Sequence, residues 1–178
     1  MKTITKLLLL LAVVAMFGPG CEKAKDLLDV KFDANFKSDL NIDVPTGTKS
    51  ATFSAEATID PQSNTDFAEY GSKIKEIEIK EAKATILAIN KTVVMENAEI
   101  SVTSGSMTPA KWNYSNETLA VGTVLTLGNE SGQWDNVQAI LNAQNAFTTA
   151  INGTISEDDV QFTLQIEIKT SVTANPLD

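Results

Sequence analysis

The sequence predicts an all-β fold, an antiparallel β-sandwich of about seven to nine strands with one covering helix. Apolar and polar residues alternate over most of the chain after residue 30, as they do in strands that bury one face. Only residues 131–145 repeat their apolar positions with the spacing of a longer helix. Many strands and one such helix in a domain-sized chain favour two packed sheets, and a closed β-barrel is the alternative.

The first two strands are predicted over residues 30–44 and 51–59, where every second residue is apolar or small. A Pro-Thr-Gly-Thr turn signal at residues 45–48 joins them, so we expect a hairpin. The first run is long for one strand, and an interruption is expected near Ser38. Pro61 ends the second strand because proline donates no ladder hydrogen bond.

A short helical turn is predicted within residues 62–72. This polar stretch places Phe67 and Tyr70 three residues apart, on one side of a helix. Asn64 or Thr65 would cap its N-terminus, since both side chains can accept a hydrogen bond from the first free backbone N–H groups.

Two further strands are predicted over residues 74–86 and 93–102. The apolar positions of the first change from odd to even numbers at residues 80–81, which predicts a bulge or a turn there. A tight turn is expected at residues 90–91, and the Ser-Gly-Ser sequence of residues 104–106 ends the second strand.

The covering helix is predicted over residues 131–145, with Ser131 as its N-cap. Before it, alternation predicts strands around Trp112 and Tyr114 and over residues 119–127. The apolar stripe of the helix is narrow, so we expect the helix to cover an edge or an open end of the sandwich. The stripe consists of Trp134, Val137, Ile140 and Leu141.

The strongest strand signal closes the chain. Residues 147–155 and 160–172 both alternate, and three acidic residues lie between them. Because aspartate favours turns, this pattern predicts a second hairpin with an acidic tip.

Composition excludes several kinds of function. The 178 residues include 23 acidic residues and 14 basic residues, all of them lysine, and the formal net charge of −9 argues against nucleic acid as a partner. The chain has no histidine, the commonest general base and zinc ligand near neutral pH, and no arginine to clamp phosphate. No cofactor is expected, and carboxylate chemistry or calcium binding is what remains open.

The N-terminus predicts export. Lys2 and Lys6 precede an apolar run over residues 7–17, which is too short to span a hydrocarbon core of roughly 30 Å. Cys21 follows this run and is the only cysteine, so it has no partner for an intramolecular disulfide. We predict a signal peptide over residues 1–20; an ordinary secretory signal cut after Gly20, with a free thiol, is the alternative.

The sequence Gly18-Pro19-Gly20-Cys21 resembles the lipobox of bacterial lipoproteins, in the relaxed form found in Bacteroidota. The resemblance implies cleavage before Cys21 by signal peptidase II and acylation of its thiol. Such a lipid would anchor the chain in the cell envelope, with the outer membrane as the expected membrane. Residues 21–29 would form the lipidated N-terminus and a short tether, and residues 30–178 a single domain.

Four residues form a candidate ligand site. Trp112 and Tyr114 would share one face of a strand and could offer rings on which a sugar stacks, with hydrogen bonds from Asn113 and Asn116. The favoured alternative is that both rings belong to the core, because large aromatic side chains dominate cores.

A second candidate is the acidic tip formed by Glu157, Asp158 and Asp159. These carboxylates could bind calcium, alone or with Asp60 or Asp135. The spaced ligands of an EF-hand loop are missing, so a solvated turn without metal is the favoured interpretation.

These observations predict a non-enzymatic, lipid-anchored envelope protein that acts as a binding or structural accessory. Its candidate partners are the membrane, through the lipid, and a carbohydrate or another envelope protein. One alternative is a carbohydrate-binding lipoprotein. Another is a carboxylate-dependent glycoside hydrolase, which needs two acids facing each other about 5–10 Å apart.

Overall fold

The computed structural model describes residues 29–47 and 51–177. The predicted signal peptide, Cys21 and most of the tether lie outside these residues. None of the helices in the described residues is long and apolar enough to cross a membrane. The strands are β1 (Val30–Val44), β2 (Ala51–Ile59), β3 (Ile74–Ile89), β4 (Val93–Thr103), β5 (Ala110–Leu119), β6 (Val124–Thr126), β7 (Phe147–Ile155) and β8 (Val160–Ala174), and the helices are α1 (Thr65–Tyr70) and α2 (Gln133–Asn142).

The eight strands form two four-stranded antiparallel sheets. The first sheet has the order β1-β8-β3-β6 and the second the order β2-β7-β4-β5. Each strand pairs with the strand equally far from the other end of the chain: β1 with β8, β2 with β7, β3 with β6, and β4 with β5. This pairing results when one long hairpin rolls up, and it is the jelly-roll arrangement. The antiparallel sandwich is confirmed, and the barrel alternative is wrong because the two sheets stay separate.

Both predicted hairpins are wrong. β1 and β2 lie in different sheets, and so do β7 and β8. The turns after β1 and β7 therefore carry the chain across the sandwich. Alternation could not reveal this, because both sheets bury one face against the same core and the pattern is identical whichever sheet a strand joins.

Three local predictions have different outcomes. β1 runs without a break through Ser38, contrary to the expected interruption. The bulge expected at residues 80–81 is confirmed by a register shift in the pairing of β3 with β8. The continuous strand expected over residues 119–127 is wrong, because a turn separates β5 from β6. That turn exposes 66 % of Val121 and closes with a 3.0 Å hydrogen bond from the Thr123 N–H to the Ala120 carbonyl.

The predicted helical turn is confirmed as α1. The Asn64 side chain caps it by accepting a hydrogen bond from the Phe67 N–H at 3.0 Å. Phe67 is fully buried and packs edge-to-face on Phe36, which packs in the same way on Phe147. Because aromatic pairs at this geometry add to area burial, the three rings bind α1 to both sheets.

The covering helix is confirmed as α2, and it covers an edge. β6 pairs only with residues 83–85 of β3, so the first half of β3 pairs with β8 on one side and has no strand on its other side. α2 lies against this edge, and the Gln138 side chain donates a hydrogen bond to the Ile77 carbonyl. The Ser131 N-cap is wrong: Gly132, with φ of +76°, precedes the helix, and the Asn129 side chain accepts from the Trp134 N–H at 2.9 Å.

Candidate functional site

The four candidate ligand residues lie on β5, an edge strand of the second sheet. Trp112 and Tyr114 share one face, as the alternation predicted, and that face is turned towards the core. Asn113 is exposed on the other side, and Asn116, which adopts φ of +57°, is exposed farther along the strand. Asn113 and the two aromatic residues nevertheless line one shallow depression, and Asn116 is not part of its lining.

Three aromatic side chains bind three successive backbone carbonyls at the end of β6. The Tyr114 hydroxyl donates to the carbonyl of Thr126 at 2.7 Å, and the Trp134 indole to that of Leu127 at 2.8 Å. The Trp112 indole donates to the carbonyl of Gly128 at 2.7 Å. We call Tyr114, Trp134 and Trp112 the aromatic clasp, because they join β5, the end of β6 and α2.

The aromatic clasp leaves little ring surface for a ligand. Trp112 is 5 % exposed, so its indole offers almost no surface on which a sugar could stack. Tyr114 is half-buried, and burial, followed by the negative charges of Glu130 and Glu117, raises the pKa of its hydroxyl to about 12. A shallow depression of about 340 Å³ beside Tyr114 is lined by Lys111, Trp112, Asn113, Thr126, Glu130 and Gln133.

The acidic tip forms an ion pair and hydrogen bonds with neighbouring loops at one end of the sandwich. The Glu157 carboxylate lies 3.0 Å from the Lys91 ammonium group, and the Asp158 carboxylate accepts from the Gly47 N–H. The backbone carbonyl of Asp159, a residue with φ of +52°, accepts from the Asn90 side chain at 3.0 Å. Each of the three residues thus contacts a neighbouring loop.

The other two acids proposed for calcium have their own positions. Asp60 accepts from the Gln62 N–H at 2.9 Å and caps the 3-10 helix Pro61–Ser63, while Asp135 lies in the first turn of α2. Within residues 29–47 and 51–177, no three histidine, cysteine or acidic side chains are grouped as a metal site would require.

A network of lysine and glutamate on the outer face of the first sheet was not predicted. In the pairing of β1, β8 and β3, Glu167 lies between Lys37 and Lys83. Its carboxylate lies 3.0 Å from the Lys37 ammonium group and 3.3 Å from that of Lys83. In the adjacent row Lys169 lies beside Glu81, with 2.7 Å between their charged groups.

The network holds its acids ionised. A 2.8 Å hydrogen bond from Asn35, followed by those from Lys37 and Lys83, lowers the pKa of Glu167 from an ordinary 4.5 to about 2. Hydrogen bonds from Lys169 and Lys83 likewise lower the pKa of Glu81. The sequence shows which residues are charged. It does not show the strand register that brings them together, because β1, β3 and β8 are far apart in the chain.

A depression of about 580 Å³ on the same outer face was also not predicted. It lies beyond the lysine and glutamate network, near the C-terminal ends of β1 and β3 and the N-terminal end of β8. Nine residues from β1, β8 and the end of β3 line it: Asn41, Ile42, Asp43, Ala88, Ile89, Asn90, Gln161, Phe162 and Thr163.

Comparison with known proteins identifies no family for the chain. No family model matches it, and no curated protein matches it. Among solved structures, it is similar to one described as Desmodium yellow mottle tymovirus, with 10 % identity and a TM-score of 0.23 over 84 % of this chain and 91 % of that one. Backbones that superpose so loosely support no conclusion about fold or function.

Proposed function

We propose that the chain is a lipid-anchored accessory protein of the bacterial cell envelope, in the outer membrane, that acts by binding or by structure and not by catalysis. The observation that carries this proposal is the single Cys21 at the end of an apolar export signal. Acylation would join this residue firmly to a bilayer, since several acyl chains anchor far more strongly than one.

The position of β1 supports a defined orientation in this proposal. Eight residues separate Cys21 from the start of β1, and they reach at most about 26 Å when fully extended. β1 itself is 15 residues long, or about 50 Å as a strand. The loops beyond its far end would therefore face away from the membrane, and a partner would meet them first.

The ionisation of Glu81 and Glu167 disfavours these two acids as the proton donor of a hydrolase. A glycoside hydrolase that works with two carboxyl groups needs one whose pKa is raised, so that it can donate a proton near neutral pH. The pKa values of Glu81 and Glu167 are lowered, because lysine and asparagine side chains stabilise their ionised forms. Both acids therefore act as partners in surface ion pairs.

The proposal is tested by mass and by location. Intact-mass measurement of protein extracted from membranes should give a chain that begins at Cys21 and carries added acyl mass. Cys21→Ser should release the protein into the soluble fraction with an unchanged melting temperature, because the substitution lies outside the sandwich. An unmodified Cys21, or a serine variant that stays with the membranes, would contradict lipid anchoring.

A further inference from the structure

The depression on the first sheet exists because two side chains in one row across the strands are small. Thr163 on β8 pairs with Asn41 on β1 and with Ala88 on β3, so the side chains of this row become shorter towards β3. The register of β3 also shifts between Ile86 and Ala88, which leaves Leu87 without a partner in the ladder. The next row across β1 and β8 contributes Asp43 and Gln161 to the lining.

Polar groups in this depression have unused hydrogen-bonding capacity. Asn41 accepts from the Thr163 hydroxyl at 2.9 Å through its carbonyl oxygen, and Gln161 donates to one oxygen of Asp43 at 3.4 Å. In the described part of the chain, the Asn41 amide nitrogen, the Gln161 carbonyl oxygen and the second Asp43 oxygen have no partner in the protein. Donors and acceptors therefore converge on one open space.

Charge and apolar surface narrow the class of ligand. The lining residues include one acid, Asp43, and no lysine, which disfavours anionic ligands on a chain with a net charge of −9. The lining also includes aliphatic side chains, among them the exposed Ala88 and the half-buried Ile89. Uncharged amides and a hydroxyl beside aliphatic groups suit a sugar, which has hydroxyl groups at its edge and C–H groups on its faces.

We propose that this depression is a binding groove for a neutral oligosaccharide. The volume of about 580 Å³ lies within the range of small-molecule sites. Phe162 is the aromatic residue of the lining, but it is 3 % exposed and its ring packs on Phe53. Because that ring offers almost no surface for stacking, binding will be weak and rapidly reversible. The inference assigns a ligand class to the proposed accessory role, but it does not depend on the lipid, so the two proposals can fail separately.

The test uses the full-length chain in detergent and nuclear magnetic resonance of its backbone amides. The probes are hexasaccharides of α-linked glucose, β-linked glucose, mannose and N-acetylglucosamine, with hexagalacturonate as an anionic comparison. At least one neutral probe should shift the amide signals of residues 41–43, 88–90 and 161–163. Hexagalacturonate should shift them less.

A matched pair of variants separates the groove from the rest of the face. Gln161→Ala removes a lining side chain and should weaken binding at least about tenfold. Gln165→Ala is the control, because Gln165 lies on the same face of the same strand and donates to Asp39 at 2.9 Å outside the groove. It should change affinity less than about twofold. Ala88→Leu, at an exposed position, should fill the groove and abolish binding without removing a polar group.

Four results would overturn the proposal. These are no shift with any neutral probe, stronger binding of hexagalacturonate, equal affinity in Gln161→Ala and Gln165→Ala, or binding that survives Ala88→Leu. Shifts of the same signals with protein concentration alone would assign the surface to a second copy of the chain instead. Glycan binding that persists in soluble Cys21→Ser would support the groove while contradicting nothing about the anchor.

Discussion

The hydroxyl groups of Ser38 and Thr149 lie 2.7 Å apart inside the sandwich and join its two sheets. Ser38 is on β1 of the first sheet and Thr149 on β7 of the second, at 8 % and 0 % exposure. The Thr149 hydroxyl also donates to the Ala57 carbonyl at 3.3 Å, so Ser38 is the donor between the two hydroxyls. This pair allows β1 to bury a polar residue at an inward position without interrupting the strand.

We expect Thr149→Val to destabilise the fold by about 1–3 kcal/mol, because it leaves the buried Ser38 hydroxyl without its acceptor. Adding Ser38→Ala should recover part of that loss, since the two polar groups are then removed together. Urea unfolding of both single variants and the double variant measures the coupling. If the double variant loses the sum of the single losses, the two hydroxyls do not act as a pair.

In the aromatic clasp, Trp112→Phe should destabilise the fold by about 1–3 kcal/mol, because the half-buried Gly128 carbonyl loses the indole donor of a buried tryptophan. Tyr114→Phe should have a smaller effect, since Tyr114 is half-buried and water can replace its hydroxyl at the Thr126 carbonyl. Trp134 remains in both variants, so its fluorescence can follow urea unfolding. Equal losses in the two variants would argue against a difference in burial.

The Glu167 network makes stability depend on pH in acid. The folded pKa of Glu167, about 2, lies below its ordinary 4.5, so its contribution is complete above about pH 4.5 and is lost as pH falls towards 2. Glu167→Gln should therefore flatten the stability curve over that interval. Glu78→Gln, which removes an exposed acid paired with Lys80, controls for the loss of one charge. An unchanged acid slope in Glu167→Gln would contradict this assignment.

Two substitutions in the central strand β8 test whether its alternating apolar residues mark one buried face. Ile166 is fully buried, and Ile166→Ala should cost about 2–5 kcal/mol by opening a cavity in the core. Gln165→Ala should cost little, because it removes one exposed hydrogen bond to Asp39 on the opposite face. Urea unfolding measures both changes. Similar losses at the two positions would mean that the alternation does not mark one buried face.

The sequence by itself determined most of the buried apolar side chains of the long strands. Period two predicted six inward residues of β8 but not the buried Thr170, and the apolar stripe predicted α2. The six are Val160, Phe162, Leu164, Ile166, Ile168 and Val172. Burial of this kind is a local property, because removing one apolar face from water requires only that successive side chains point to opposite sides. Charge and the position of Cys21 are likewise read directly, and they carry the proposal of an anchored accessory protein.

Only the tertiary structure decided which strands pair, and therefore which outward residues meet. The hydrogen bond from Asn35 to Glu167 joins residues 132 positions apart, and the one from Gln165 to Asp39 joins residues 126 positions apart. Such contacts depend on how the long hairpin rolls up, and the same alternation fits a turn into either sheet. For that reason the two hairpins were predicted wrongly. The lysine and glutamate network and the depression beyond it form only when β1, β8 and β3 lie side by side.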